Sequence, residues 1–215
     1  MSENFDDEFL DQELENILNH PAPAYGEKNY WNSRYEKETD FFEWYQPWTR
    51  INGSLRQIIK PNGIALNIGC GNSQMSCDLL KEGFSKVVSI DFSDVVINQM
   101  KSRYSSEPKL EWEVSDCTKL KFGNAIFDYV FDKGTLDTII CGETSSKTVT
   151  TYIREVSRVM KPGGFFILVS YGSPSTRKKY FEGNQNGLTV IETIPIEKTG
   201  LYGAYHHIFA IKKSE

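Results

Sequence analysis

Cysteine and histidine are scarce in this chain. There are four cysteines and three histidines in 215 residues, and no two cysteines form a C-x-x-C pair. Cys70, Cys77, Cys117 and Cys141 lie far in sequence from any histidine, which argues against a zinc site, and no other metal site is expected. They read instead as free thiols of a reducing compartment. No apolar run is long enough to span a bilayer, and the N-terminus lacks the basic-then-apolar pattern of a secretory signal. A cytoplasmic location is therefore expected. A basic stripe interleaved with aromatics is also missing, so nothing marks a nucleic-acid footprint. Arg177–Lys178–Lys179–Tyr180 is one short basic cluster and reads as surface.

What is present is an ordinary globular composition, 39% hydrophobic and 25% charged, with a net charge of −5. The acids are uneven. The first sixteen residues hold Glu3, Asp6, Asp7, Glu8, Asp11, Glu13 and Glu15 and no Lys or Arg; without those seven acids the chain carries 24 basic and 22 acidic residues. Residues 1–24 read as a solvated, flexible arm that ends at His20–Pro21–Ala22–Pro23, and residues 25–215 as one domain. The oligomeric state is not legible.

From residue 64 onward, apolar runs alternate with helical patterns. Strands are expected over Ile64–Ile68, Val87–Ile90, Leu110–Val114, Phe127–Phe131 and Phe165–Ser170. Helices are expected over Ser73–Lys81, Asp94–Tyr104 and Val149–Met160, the last stopped by Lys161–Pro162–Gly163–Gly164, and Leu55–Ile59 reads as the end of an earlier one. Two further strands, Leu188–Ile194 and His207–Lys212, follow without an obvious long helix between them. The pattern predicts an α/β fold: a Rossmann-like, doubly wound, seven-stranded sheet, mostly parallel with an antiparallel C-terminal hairpin. A dehydrogenase would more often continue in strand–helix–strand units.

The first strand runs into Gly69–Cys70–Gly71–Asn72–Ser73. Glycines there let the backbone turn tightly and approach a ligand, although a lone G-x-G is shared with many ordinary turns. The third glycine of the dinucleotide fingerprint is missing. Asp91 stands at the end of the second strand, 22 positions after Gly69, where a carboxylate can accept both hydroxyls of an adenosyl ribose. The competing role for Asp91 is a helix cap, which Ser93 fills as well. Asp116 lies just past the third strand, placed to accept an adenine amino group, with Cys117 beside the ring; a loop-capping Asp is the plainer role. Three strand ends in order thus carry glycine, acid and acid, and ligands of open α/β sheets bind outside those ends.

With Tyr30–Trp31–Asn32–Ser33–Arg34–Tyr35, Phe42–Glu43–Trp44–Tyr45 and Asp132–Lys133–Gly134–Thr135–Leu136–Asp137, the chain resembles the class I S-adenosylmethionine-dependent methyltransferases. More closely still, it resembles the group that includes lysine methyltransferases of elongation factor 1-alpha. The resemblance implies S-adenosylmethionine as cofactor and a protein lysine as acceptor. It implies a strap of Trp31, Tyr35 and Trp44 over the sulfonium, a contact worth about 0.5–2 kcal/mol; these rings could equally anchor the N-terminal segment. Gly69, Gly71, Asn72, Asp91, Phe92, Asp116, Cys117, Asp132 and Lys133 complete the expected cofactor set.

Asn67 replaces the acid that many class I enzymes carry two residues before the first glycine, so the cofactor ammonium is expected at Asp132 or at backbone carbonyls. Asp132 and Asp137 are expected to position the acceptor. The Asn/Asp-Pro-Pro-Tyr tetrad of enzymes that methylate planar amides is missing. His206 and His207 are expected to be structural, one facing the sheet and one solvent. The alternatives are a small-molecule methyltransferase on the same fold, a nicotinamide-dependent oxidoreductase, or a non-catalytic cofactor-binding module.

Overall fold

The central strands of this sheet are dense in apolar residues and buried on both faces, which is why helices cover both sides. The computed structural model describes residues 23–142, 145–182, 186–198 and 202–215; the expected acidic arm, apart from its last two residues, lies outside them. In chain order the elements are α1 (Lys28–Lys37), α2 (Trp48–Leu55), β1 (Ile64–Ile68), α3 (Met75–Glu82), β2 (Lys86–Asp91), α4 (Asp94–Arg103), β3 (Leu110–Val114) and β4 (Phe127–Lys133). There follow α5 (Thr135–Ile140), α6 (Ser145–Val159), β5 (Met160–Ser170), α7 (Pro174–Arg177), a 3-10 turn (Lys178–Tyr180), β6 (Leu188–Glu197) and β7 (Tyr205–Lys213). Among these residues no helix is long and apolar enough to cross a membrane.

The sheet order is β3-β2-β1-β4-β5-β7-β6. Strands β1 to β5 pair in parallel, and β7 runs antiparallel between β5 and β6. This is the expected seven-stranded, doubly wound sheet with its antiparallel hairpin. Alternation along each strand sorts the core into two layers. Ala65, Val87, Phe131 and Ile167 join Trp48, Ile51, Leu79 and Ile97 of the helices on one face. Leu66, Val88, Val130 and Phe166 meet Tyr152, Ile153 and Val156 of α6 on the other.

Three local expectations are corrected. Helix α2 ends at Leu55, because the amides of Ile58 and Ile59 fold back as a turn onto the Leu55 carbonyl at 2.9 and 2.8 Å. Lys161–Pro162–Gly163–Gly164 does not separate α6 from its strand. Strand β5 begins at Met160, opposite Phe127, and these residues form an irregularity before Phe165 pairs with Tyr129. Gly163 adopts φ +74°, and a Cβ on Gly164 would press on the carbonyl oxygens of Asp128 and Lys161 at 2.8 and 2.9 Å. Finally, α1 and α5 were not anticipated. The first buries only Trp31 and Tyr35, and the second spans six residues, too few to show a period.

Candidate active site

Strand β1 gives way to a turn that only glycine suits. Gly69 has φ +60° and Gly71 φ +50°. A Cβ on Gly69 would overlap the side chain of Thr135, whose Oγ1 donates to the Ile68 carbonyl at 3.0 Å. A Cβ on Gly71 would come within 2.8 Å of Tyr35 Oη. The adjacent strand end is tied to this turn. Asp91, 5% exposed, accepts from Gly71 N at 3.0 Å through Oδ2 and from Ser93 N at 2.9 Å through Oδ1. Burial pushes the Asp91 carboxyl up to about 6 against the opposing pull of these backbone donors. Ser93 caps α4 by accepting from Val96 N and also donates to Asn32 Oδ1 at 2.6 Å.

Asp116 is exposed beyond β3, and its Oδ1 accepts from Thr118 N and Thr118 Oγ1 at 2.8 and 2.7 Å. It therefore caps its own loop while lining the same cavity as Gly69, Gly71 and Asp91, a space of about 600 Å³. Phe92, Cys117 and Asn72 line it too. Burial drives the Cys117 thiol well above its ordinary range, so it is a neutral wall and not a nucleophile.

The opposite wall is aromatic. Tyr25, Trp31, Tyr35, Phe42, Trp44 and Tyr45 line the cavity. Trp31 stacks on Tyr35 with centroids 5.8 Å apart and meets Trp44 edge-on at 6.0 Å, and its Nε1 donates to the Tyr25 carbonyl at 2.7 Å. The Arg34 guanidinium lies over Phe42 and Trp44 at 4.8 and 5.2 Å, so these rings already carry one cation. The segment leading to Trp44 is fastened at several points. Asn72 Nδ2 donates to the carbonyls of Glu38 and Asp40, so its amide ties down the strap. Glu43 accepts from Ser73 Oγ and from Gln74 N, each at 2.7 Å. Lys133 Nζ donates to Glu43 Oε2 and to the Trp44 carbonyl, both at 2.9 Å.

Asp132 is displaced from its expected role. It is fully buried and does not line the cavity. Its Oδ1 accepts from Thr135 N at 2.7 Å, and its Oδ2 from Leu136 N and Tyr152 Oη at 2.9 and 2.7 Å. Its carboxylate is thus spent on the start of α5 and is not presented to a cofactor ammonium. Asn67, also buried, lines the cavity and donates to Ser76 Oγ at 2.8 Å.

Asp137 does line the cavity, as a hub. Oδ2 accepts from Tyr45 Oη at 2.6 Å and Tyr171 N at 2.7 Å, and Oδ1 from Ser170 Oγ at 2.6 Å and Arg177 Nη2 at 2.9 Å. Arg177, read from sequence as part of a surface cluster, has a side chain only 12% exposed and forms this ion pair at the cavity wall. His206 packs its ring 4.4 Å from that of Tyr45 and is buried, whereas His207 is half-buried. Glu43, Tyr45, Thr135, Tyr171 and Arg177 were not singled out in sequence. Glu43 and Tyr45 stand in the Phe42–Tyr45 motif and Thr135 in the Asp132–Asp137 motif, but nothing in either motif gives the partners they meet.

A protein-family model described as a methyltransferase domain matches residues 66–168. The chain is 35% identical over 168 residues to EEF1A lysine methyltransferase 4 of Bos taurus, covering 74% of this chain and 66% of that protein. It is 34% identical over 168 residues to the eEF1A lysine and N-terminal methyltransferase of Homo sapiens, covering 76% of this chain but 24% of that one. The chain thus spans about two thirds of the first relative and a quarter of the second. Among solved structures, the N-methyltransferase NodS of Bradyrhizobium japonicum, in complex with S-adenosyl-l-homocysteine, superposes with TM-score 0.61 at 16% identity, over 78% of this chain and 85% of that one. That likeness shows the fold.

Proposed function

Since the chain belongs to the class I S-adenosylmethionine-dependent methyltransferases, we propose that it methylates the side-chain amine of a protein lysine, elongation factor 1-alpha being the first acceptor to test. The carrying observation is the convergence of Gly71, Asp91 and Asp116, from three consecutive strand ends, on one cavity with an aromatic wall. The names of the relatives support the acceptor. Residues 25–215 are assigned to one domain working in the cytoplasm on a protein partner.

The residues present fit the cofactor. Asp91 is a buried carboxylate whose oxygens accept from Gly71 N and Ser93 N, with a further pull from the Phe92 backbone, and its remaining lone pairs would meet the ribose hydroxyls. Asp116 would accept from the adenine amino group, between Phe92 and Cys117. Gly69 and Gly71 would let the backbone close on the ligand, and Trp31, Tyr35 and Trp44 would exclude water and face the cation. When bound, the cofactor supplies a methyl group on a sulfonium, whose displacement needs no acid for the leaving group.

The acceptor makes a further demand. A lysine ammonium has a pKa of about 10.4, so neutralising it near pH 7 costs on the order of 4–5 kcal/mol. Desolvation against the aromatic wall lowers that cost, and a bare carboxylate beside the amine would raise it. Asp137 is a third carboxylate at the cavity wall, beside Tyr45, and its ion pair with Arg177 offsets its charge. Its role in this reading is to position neighbouring groups.

The test is incubation with methyl-labelled cofactor, with cytosolic extract and separately with purified elongation factor 1-alpha. Acid hydrolysis of labelled protein should release methylated lysine. Label confined to small metabolites would overturn the reading.

A further inference from the structure

We infer that Tyr45 contacts the acceptor: with its hydroxyl proton held by Asp137, its oxygen accepts a hydrogen bond from the incoming lysine amine and aims that amine's lone pair. This rests on the lysine reading above. Tyr45 lies at a non-glycine φ of +63°, a left-handed conformation that costs roughly 1 kcal/mol or more and persists where surroundings enforce it. The enforcing contacts are identifiable. The ring packs against His206, a Cβ on Gly134 would stand only 3.4 Å from Tyr45 Cε2, and the hydroxyl is fastened to Asp137.

Chemistry decides which atom meets the amine. A neutral amine attacking in line must point its one lone pair at the methyl carbon, so its N–H groups need an acceptor. Three groups in the Asp137 cluster could serve. The Asp137 carboxylate already takes donors from Tyr45, Ser170, Tyr171 and Arg177, and a direct contact would favour the ammonium. Ser170 Oγ is fully buried and already accepts from Gly172 N and Arg177 Nε at 3.0 and 2.9 Å. Tyr45 Oη remains. Among the described residues none donates to it, and Tyr45 is one of the residues that line the cavity. Burial and the Asp137 charge hold its phenol far above the ordinary range, so it stays protonated and the direction of its bond to Asp137 is fixed. A neutral oxygen can then orient the amine without stabilising its protonated form as a carboxylate would.

The experiment compares wild type with Tyr45→Phe, which keeps the ring, and with Asp137→Asn, which can donate to Tyr45 Oη and so occupy the lone pair. Elongation factor 1-alpha and cytosolic extract are the acceptors, and S-adenosylhomocysteine titrated calorimetrically reads the cofactor site. Tyr45→Phe is expected to lower kcat roughly tenfold to a hundredfold while the S-adenosylhomocysteine Kd stays near wild type and the thermal midpoint falls by no more than the loss of one hydrogen bond. A merely structural role would move Kd and midpoint together with the rate. Wild-type kcat in Tyr45→Phe overturns the assignment; should that variant fail to fold, wild-type kcat in Asp137→Asn does so. If wild-type enzyme labels no lysine at all, the lysine reading falls by itself. If it labels lysine and Tyr45→Phe labels it equally fast, only the Tyr45 assignment falls.

Discussion

Lys133 Nζ lies 2.9 Å from Glu43 Oε2, closing a contact between the end of β4 and the segment that joins α1 to α2. Through the same carboxylate this segment also holds Ser73 and Gln74 of the glycine turn. Lys133, which lines the cavity, thus also secures through its ammonium the strap that carries Trp44.

The two partners are unequally buried, with side-chain exposures of 5% for Lys133 and 21% for Glu43. Glu43→Gln should therefore be the more harmful change, because it leaves an ammonium buried without its counter-charge, a loss on the order of 3–5 kcal/mol. Lys133→Met removes the buried charge and should cost less. Burial lowers the Lys133 pKa and Glu43 opposes that shift, so losing Glu43 lowers it further. An amine whose folded pKa lies below its unfolded one destabilises the protein below the folded pKa and is relieved as pH rises through it. The thermal deficit of Glu43→Gln relative to wild type should shrink between neutral and alkaline pH. A deficit that grows with pH would contradict the assignment.

The Asp91 carboxyl titrates near 6 and must be ionised to accept two ribose hydroxyls well. Cofactor affinity should thus be nearly flat above about pH 7 and weaken as pH falls, by roughly tenfold at one unit below that pKa. Binding at pH 6 should release a fraction of a proton, seen as a dependence of calorimetric enthalpy on the buffer's ionisation enthalpy. Asp91→Asn should bind weakly and lose this pH dependence. Asp91→Ala is the poorer probe, because it would leave Gly71 N and Ser93 N without their acceptor and disturb the turn itself.

The sequence reading reached the sheet because strand patterning is local: Ile64–Ile68, buried along almost its whole length, leaves a largely apolar run, and Leu110–Val114, at the sheet edge, alternates apolar with charged residues; both have the bounds expected. It reached Gly69, Asp91 and Asp116 because each stands at a strand end, a position fixed by local pattern. It did not reach Glu43, Tyr45 or Arg177, whose roles depend on contacts 90, 92 and 40 residues away. Asp132 and Asp137 share the expectation of positioning the acceptor. Their environments separate them: one faces Tyr152 and the helix start, the other the cavity.

Gly69 and Thr135 should prove energetically coupled. Gly69→Ala forces a left-handed residue and drives a methyl into the Thr135 side chain, so a loss of about 2 kcal/mol or more is expected. Thr135→Ala forfeits the bond to the Ile68 carbonyl, worth about 1 kcal/mol. Because part of the first loss is the clash with Thr135 Oγ1, the double variant should be less destabilised than the sum of the singles. Strict additivity in chemical denaturation would show that backbone strain alone governs Gly69.

Asp132→Asn separates support from contact. Burial pushes the Asp132 carboxyl up to about 7, above the unfolded value near 3.9, so its contribution to stability is greatest at low pH and is lost as pH rises through 7. The amide removes that titration and sets an NH2 group against a backbone donor, Thr135 N or Leu136 N. A loss of about 1–3 kcal/mol at neutral pH and a flatter pH–stability curve between 4 and 7 are expected. Because Asp132 does not line the cavity, cofactor affinity measured well below the thermal midpoint should stay within about threefold of wild type, a shift under about 0.7 kcal/mol. Turnover should suffer more, since α5 carries Asp137 and, through it, Tyr45. The opposite pattern, a tenfold weaker cofactor with an unchanged midpoint, would mean that Asp132 touches the cofactor after all.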